Sequence, residues 1–175
     1  TGLKQSTMDQ IAGYAGVSKV IYYRYFGSKD NLIHTILGTV VDRLLEADQK
    51  DVESWTDLVP MTLHIARENK DAMTLLIRQA AHDPKYGSHF QRLRDVMVER
   101  SRQRQMALFS DVIDHSIETP VSVTFLAETT MAMFFESYVR WLETGDAADD
   151  EKFIDWVIKS VRAMGYYWAG ENPPQ

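Results

Sequence analysis

Apolar residues recur along this chain at the spacing of an α-helix, and the alternation of apolar and polar residues that is typical of β-strands is nearly absent. The segment after Ser28 shows the pattern most clearly, because its apolar residues follow one another at steps of three and four from Leu32 to Leu45. The sequence therefore predicts an all-α protein. The predicted helices span residues 7–14, 18–25, 29–48, 57–69, 71–82, 86–115, 120–143 and 149–168.

Capping residues and glycines mark the ends of these helices. Thr7 and Gln10 form the Thr-x-x-Gln pattern of a capping box, in which each side chain satisfies a free backbone N–H of the other residue. Glycine is expected to end the first two helices, because it readily adopts the positive φ of a helix stop. The other end signals are Ser18, Ser28 and Asp71 as N-caps, Gly16, Gly27 and Gly145 as stops, Asp83-Pro84 as a break, and Thr119-Pro120 as an N-cap with a proline after it.

The composition limits the classes of function that the chain can have. With 175 residues, of which 45% are hydrophobic and 25% charged, it can bury a core without disulfides or metals. It contains no cysteine, which excludes thiolate catalysis, cysteine-bound zinc and disulfide bonds. No apolar run approaches the ~20 residues of a membrane span, and the first residues lack the basic and apolar regions of a signal peptide. We therefore expect a cytoplasmic protein that needs no cofactor.

Charge is distributed unevenly along the chain, whose net charge is −6. Residues 1–35 hold four basic and two acidic side chains, a balance of +2, which leaves −8 for residues 36–175. A small module that faces an anion and is attached to a larger acidic body would have this distribution. The segment 49–56 is mostly polar and resembles a joint, so we predict an N-terminal domain over residues 1–48 and a C-terminal domain over residues 49–175.

The N-terminal segment has the helix-turn-helix pattern, in which two short helices joined by a glycine-containing turn are followed by a long helix. Helical spacing turns Val17, Tyr22 and Phe26 of the second helix toward the first one, which leaves its opposite face free to enter a groove. Lys19 and Val20 would then face base edges in a DNA major groove. The alternative is a solvated helical hairpin whose tyrosines only pack. Phosphates of the DNA backbone can be bound by hydroxyl groups, phenols, positive charges and the N–H groups at helix N-termini. The residues that offer such groups here are Thr7, Tyr23, Tyr25, Ser28 and Lys29.

The segments Thr7–Ala12, Ala15–Ser18 and Tyr23–Leu32 resemble the DNA-binding domain of the TetR (tetracycline repressor) family. The resemblance covers about residues 2–48. It implies an all-helical homodimeric transcription regulator, in most cases a repressor that leaves a near-palindromic double-stranded DNA operator when a small-molecule effector binds the larger C-terminal domain. The family's DNA-binding domain begins with a further amphipathic helix before the position of Gly2, so that helix is expected to be missing from this chain.

The resemblance also implies roles for individual residues of the helix-turn-helix. Two residues depart from the family pattern, because Val20 stands where a small residue is usual and Ile21 stands where a serine or threonine is usual. Apolar contact with thymine methyl groups is expected to replace a hydroxyl contact there. The family places phosphate contacts at Thr7, Tyr23, Tyr25 and Lys29, and base or mixed contacts at Ser18, Lys19, Val20, Ile21 and Arg24.

The C-terminal body matches no other motif, and the resemblance implies that it binds an effector and dimerises. An apolar pocket with a few polar groups is expected among its middle helices, and apolar residues that cover more than one face of the last two helices indicate a four-helix dimer interface. The candidate pocket residues, each of which could instead be ordinary core, are Met61, His64, Ile65, Met73, Ile77, Phe90, Met97, Phe109 and Phe125. The candidate interface residues, which could instead form a deeper monomer core, are Phe134, Tyr138, Trp141, Phe153, Trp156, Val157, Val161 and Met164.

Other interpretations of the sequence were weighed against a DNA-binding regulator. A basic run could bind nucleic acid; it consists of Arg92, Arg94, Arg100, Arg102 and Arg104. Asp95 and Glu99 lie within one helical turn of several of these arginines, so a solvated helix face whose charges pair with one another is the favoured interpretation. An all-helical metal-dependent phosphohydrolase would use His82 and Asp83 with His64 and a carboxylate such as Asp111, but Pro84 indicates that the pair ends a helix. A helical protein-interaction module without specific DNA binding is the remaining alternative. We predict a non-enzymatic regulator.

Overall fold

The computed structural model describes residues 7–16, 18–50, 52–111 and 121–170. Over these ranges the chain forms α-helices joined by short turns, and no β-strand occurs in them, in agreement with the predicted all-α fold. Three-residue 3₁₀ helices occupy Trp55–Asp57, Ala80–His82 and Ala147–Asp149. The α-helices are α1 (Met8–Ala15), α2 (Lys19–Phe26), α3 (Lys29–Asp48), α4 (Leu58–Glu68), α5 (Lys70–Arg78), α6 (Gly87–Leu108), α7 (Val123–Thr144) and α8 (Asp150–Trp168).

The caps predicted for the first three helices are confirmed. The Thr7 N–H donates to Gln10 Oε1 at 2.9 Å and the Gln10 N–H donates to Thr7 Oγ1 at 3.3 Å, which completes the capping box of α1. Ser18 and Ser28 accept the corresponding backbone N–H groups of α2 and α3. Gly16 ends α1 with φ 65° and Gly27 ends α2 with φ 69°, conformations that favour glycine over residues with a Cβ.

Two predictions for α5 are wrong. The predicted helix 71–82 ends at Arg78, because Gln79 leaves the helical conformation and the chain turns so that Ala80 becomes completely buried. Asp71 lies in the first turn of α5 and is not its N-cap, which is Asn69. The break at Asp83 is confirmed, since this residue is extended and ends the short 3₁₀ helix.

The ends of α6 and α7 also differ from their predictions. The helix predicted over 86–115 ends at Leu108, because Phe109 turns out of the helix and its ring packs on Tyr166 and Trp168. Residues 112–115 lie outside the described part of the chain, as do Thr119 and Pro120. The helix predicted over 120–143 begins at Val123, with Ser122 as its N-cap, and Gly145 ends it as expected.

Helix α3 connects the helix-turn-helix to the main core. Its residues Leu37, Val40 and Val41 are fully buried among apolar side chains of α4 to α8. The same core contains Tyr138, which is 1% exposed and donates from its hydroxyl to the Val59 carbonyl at 2.9 Å. Since α3 belongs to both parts of the molecule, a movement of its C-terminal end would be transmitted to the helix-turn-helix. The division into domains at residue 48 stays a prediction.

The packing corrects the predicted dimer interface. Tyr138, Phe153 and Val157 are buried within one chain, where α7 and α8 pack on the body, so they belong to the monomer core. Trp141 stacks on Phe153 with ring centroids 5.0 Å apart. Phe134, Val161 and Met164 are partly buried against the chain's own clusters, which leaves Trp156 as a half-exposed member of the predicted set. The two helices supply more core than their sequence indicated, because α4, α5 and α6 cover one side of them.

No helix in the described ranges is long and apolar enough to cross a membrane.

Candidate DNA-binding surface and effector cavity

Helix α2 presents nearly all of its side chains to solvent. None of its residues is buried, and Val20 and Tyr25 are 77% and 80% exposed. Ile21, Tyr23 and Arg24 are also exposed, whereas Tyr22 and Phe26 are partly buried and their rings lie 5.2 Å apart. The predicted division of α2 into an inward and an outward face therefore agrees with the structure, apart from Val17, which lies outside the described residues. The tyrosines of the outward face do not pack into the fold.

Three of the polar residues predicted to contact DNA lie at helix N-termini. Thr7 and Ser18 are exposed N-caps of α1 and α2, and Lys29 is a half-buried residue in the first turn of α3. Lys19 forms an ion pair with Asp9 of α1. A phosphate or base that binds Lys19 would have to replace this carboxylate, at small cost because both side chains are exposed.

Tyr14, which the sequence analysis did not single out, is 96% exposed at the end of α1. The helical phase indicates this position, because Met8, Ile11 and Ala12 define the inward side of α1 and Tyr14 lies outside that stripe. A phenol in this position adds a donor to the surface of the helix-turn-helix.

The first half of α3 is attached to the start of α6 by a group of polar contacts. Tyr86 donates to Asp30 Oδ1 at 2.6 Å, and Lys85 forms an ion pair with the same carboxylate. The hydrogen bonds from Lys85 and Tyr86 lower the pKa of Asp30, while burial and the Asp30 contact raise the pKa of Tyr86 to about 12. His34 Nδ1 lies 2.8 Å from His89 Nε2 across the two helices. These contacts set the orientation of the helix-turn-helix on the body.

The histidine pair predicts a pH-dependent stability. Burial, with smaller contributions from the charges of His34 and Arg92, lowers the pKa of His89 below its ordinary value of 6.5, although Asp42 opposes the shift. The unfolded chain therefore binds a proton at a higher pH than the folded chain does. The free energy of unfolding should be unaffected by this group above pH 6.5 and should fall as the pH is lowered through 6.5 toward the folded pKa.

Equilibrium denaturation between neutral and mildly acidic pH checks this prediction. We expect His89→Gln to reduce the loss of stability below pH 6.5. The exposed His64, which interacts with Glu68 on α4, provides the matched control in His64→Gln. The other charged groups near the pair, Asp30, Lys85, Arg92 and Asp42, are unchanged in both variants. An identical pH profile for the wild type and His89→Gln would contradict the assignment.

The arginine run of α6 clamps the C-terminal end of α3, which corrects the predicted self-paired face. Arg100 Nη1 and Arg104 Nη1 each donate to the buried carboxylate of Asp48 at 3.0 Å. The same two guanidinium groups also donate to the carbonyls of Leu45 and Asp48. Self-pairing holds for Arg94, which pairs with Asp95, and for Arg102, which binds Glu99 on the same helix.

The spacing of the arginines in the sequence already indicates part of this clamp. Arg92, Arg100 and Arg104 recur at multiples of four, so they share one face of α6. The carboxylates that they bind are Asp42 and Asp48 on α3, more than forty residues away in sequence. Local spacing shows which arginines share a face but does not show which helix packs against it.

A cavity of about 740 Å³ lies beside this clamp. It is lined by the joint after α3, the second half of α6, and parts of α4, α7 and α8. Apolar walls come from Trp55, Phe109 and Phe134, and the polar lining includes Asp48, Arg104, Gln105 and Thr130. The volume is in the range of sites that hold drug-sized ligands.

The cavity corrects most of the predicted pocket. Of the predicted pocket residues, Met97 and Phe109 belong to its lining. Met73 and Ile77 are core residues of α5, Phe90 packs edge-to-face on Phe135, and the side chains of His64 and Phe125 are largely exposed. Met61 and Ile65 lie on α4 outside the lining. The prediction placed the pocket among the middle helices in general, whereas this cavity lies at the second half of α6 and the joint after α3.

The structure was also tested for the metal-dependent alternative. Within residues 7–16, 18–50, 52–111 and 121–170, no group of three or more histidine, aspartate or glutamate side chains could hold a metal ion. His82 belongs to the short 3₁₀ helix and Asp83 ends it, as the neighbouring proline indicated.

A helix-turn-helix with an exposed second helix, joined by a long helix to a larger all-helical body with a cavity, defines the class of helical DNA-binding regulators. Residues 1–36 match the family model "Bacterial regulatory proteins, tetR family". No curated protein sequence matches the chain. The fold is similar to that of the TetR family transcriptional regulator PfmR from Thermus thermophilus, with a TM-score of 0.61, 19% sequence identity and coverage of 90% of each chain.

Residues 1–36 are therefore similar to the regulatory proteins of the TetR family, and the described chain shares the fold of one such regulator. The match of residues 1–36 to the family model favours a DNA-binding regulator of transcription.

Proposed function

We propose that this protein is a homodimeric repressor in the bacterial cytoplasm that leaves its operator when a small molecule occupies the cavity beside Asp48. The observation that carries the proposal is the course of α3. This helix begins at the DNA-binding surface, where Lys29 lies in its first turn, and ends at Asp48 in the cavity wall. A ligand that shifts the C-terminal end of α3 would therefore change the position of α2.

The proposed operator contacts come from the outward surface of the helix-turn-helix. Lys19, Val20 and Arg24 would meet base edges, with Ser18 and Ile21 at the edge of the same surface. Thr7, Tyr23, Tyr25 and Lys29 would hold phosphates on either side. The exposure of the tyrosines supports this assignment, because exposed phenols supply donors that buried ones would not.

The proposed dimer would pair the exposed faces of α7 and α8. Phe125 on α7 and Trp156 and Tyr167 on α8 are half or more exposed. Exposed Ala132 and Ala163 lie on the same faces at helical spacing, where small side chains allow close approach of helices. Two such pairs would form a four-helix interface with two-fold symmetry, and two-fold symmetry of the protein requires a near-palindromic operator.

Selection from a random duplex DNA library at physiological salt tests the proposal. We expect an enriched near-palindrome with half-sites about one helical turn, ~34 Å, apart. The double variant Tyr23→Ala, Lys29→Ala should bind the selected site about 100-fold more weakly, because each half-site loses two phosphate contacts. Its affinity should also depend less steeply on salt concentration, since fewer counterions are released.

The exposed Lys152 of α8 provides the control, because Lys152→Ala removes a cation far along the chain from the helix-turn-helix. Equal affinity of the double variant and the wild type would contradict the assigned contacts. Recovery of no sequence motif would favour the helical protein-interaction module over the repressor.

A further inference from the structure

We infer that the cavity binds an aromatic carboxylate that also carries a hydroxyl or N–H donor. This inference rests on the proposed effector-responsive function and specifies the chemistry of the ligand. It combines the charge at one wall, an unpaired acceptor at another, and the aromatic side chains between them.

The charge at the Asp48 wall favours an anion. Asp48 contributes one negative charge, and Arg100 and Arg104 bind its two carboxylate oxygens with two positive charges. Both of its carboxylate oxygens are therefore engaged, and the three side chains together have a balance of +1. A cationic ligand would meet excess positive charge at this wall, whereas a carboxylate would neutralise it.

Arg104 has the geometry to bind such a carboxylate. A guanidinium group has five N–H donors, and Arg104 uses one on the Asp48 carboxylate and one on the Asp48 carbonyl. The remaining donors can form a second carboxylate contact of the charge-assisted kind. Arg104 would then bind both the ligand and the end of α3, which couples occupancy of the cavity to the helix that carries the DNA-binding surface.

Gln105 defines a second polar contact of the ligand. Its Nε2 donates to Ser101 Oγ and to Thr130 Oγ1, both at 3.3 Å. The Thr130 hydroxyl donates to the Leu126 carbonyl at 2.8 Å, so Gln105 must present its amino group to Thr130. Its Oε1 is buried and has no hydrogen-bond partner in the described part of the chain. A buried acceptor without a partner is costly, and a hydroxyl or N–H group of a ligand would satisfy it.

The apolar walls favour a flat ring system over an alkyl chain. Trp55, Phe109, Phe134 and Tyr166 contribute four aromatic rings to the lining. Aromatic pairs gain about 0.5–1.5 kcal/mol beyond the burial of their area when they stack or meet edge to face. An aromatic body between Arg104 and Gln105 therefore uses the lining better than a saturated chain of the same volume.

The test is calorimetric titration of the protein, without DNA, with a matched series of probes. The reference probe is a hydroxynaphthoic acid with its hydroxyl and carboxyl groups on opposite rings. Its methyl ester lacks the charge, its methoxy analogue lacks the donor, naphthyltrimethylammonium reverses the charge, and dodecanoate replaces the aromatic body. We expect the hydroxy acid to bind about tenfold or more tightly than each of the others.

Three variants assign the contacts. Arg104→Gln should weaken the acid about tenfold and leave the ester unchanged, and Gln105→Leu should abolish the preference for the hydroxy over the methoxy acid. Arg102→Gln, which alters a neighbouring arginine outside the lining, should change neither. If Arg104→Gln does not fold, the wild-type probe series and Gln105→Leu still decide the question.

Equal binding of acid and ester, tighter binding of the cation or dodecanoate, or no binding of any probe would overturn the inference. Because the titration omits DNA, these results are independent of the operator selection. A protein that binds the hydroxy acid but selects no DNA sequence would retain the ligand assignment and lose the proposed repressor function.

Discussion

Replacing Asp48 with alanine is expected to lower the free energy of unfolding by about 3 kcal/mol. The carboxylate is 3% exposed and binds Arg100 and Arg104, so its removal leaves two cations facing each other beside the end of α3. Removal of one partner from a buried ion pair typically costs about 3–5 kcal/mol, and the partial exposure of the arginines places this variant at the lower end. Chemical denaturation at matched protomer concentration measures the loss, because the stability of the proposed dimer would depend on concentration.

Asp42→Ala is the matched control for this variant. Asp42 lies on the same helix and binds Arg92 of the same partner helix at 2.6 Å, but both side chains are more than half exposed. Solvent screens such a pair, so we expect a loss of at most about 0.5 kcal/mol. Similar losses for the two variants would show that burial of the Asp48 clamp does not determine its energy.

Replacing Gly145 with alanine is expected to destabilise the protein by about 2 kcal/mol, although the backbone there has an ordinary φ of −87°. A Cβ at this position would overlap the indole ring of Trp141. The ring cannot move aside easily, because it stacks on Phe153 and donates from Nε1 to Asp150 Oδ1 at 2.7 Å. Asp150 is itself held by Arg67 through two nitrogens. The substitution must therefore displace a packed aromatic ring or the start of α8.

Gly38→Ala provides the comparison for Gly145→Ala. Gly38 lies within α3, and a Cβ there would meet His89 at an ordinary contact distance of 3.7 Å. Alanine in a helix interior is favoured over glycine by roughly 0.5–1 kcal/mol, so this variant should be more stable than the wild type. Denaturation curves of the two variants, recorded under the same conditions, check both signs. Stabilisation by Gly145→Ala would contradict the steric explanation.

Short-range sequence patterns were sufficient for the first three helices and for the outward face of α2. The capping box at Thr7, the serine caps at Ser18 and Ser28, and the positive-φ glycines act within three or four residues, so each can be read without knowledge of the partner helix. The outward face of α2 follows from helical phase for the same reason. These features agree with the match of residues 1–36 to the family model.

The cavity, the Asp48 clamp and the division of α7 and α8 between core and surface depended on the tertiary structure. Tyr138 and Trp156 are equally plausible core or interface residues in sequence, and only the packing of α4 to α6 buries the first and exposes the second. Asp48 meets Arg104 across fifty-six residues. Contacts of this range depend on how whole helices stack, which hydrophobic spacing along one helix cannot encode because it specifies a buried face but not the helix that covers it.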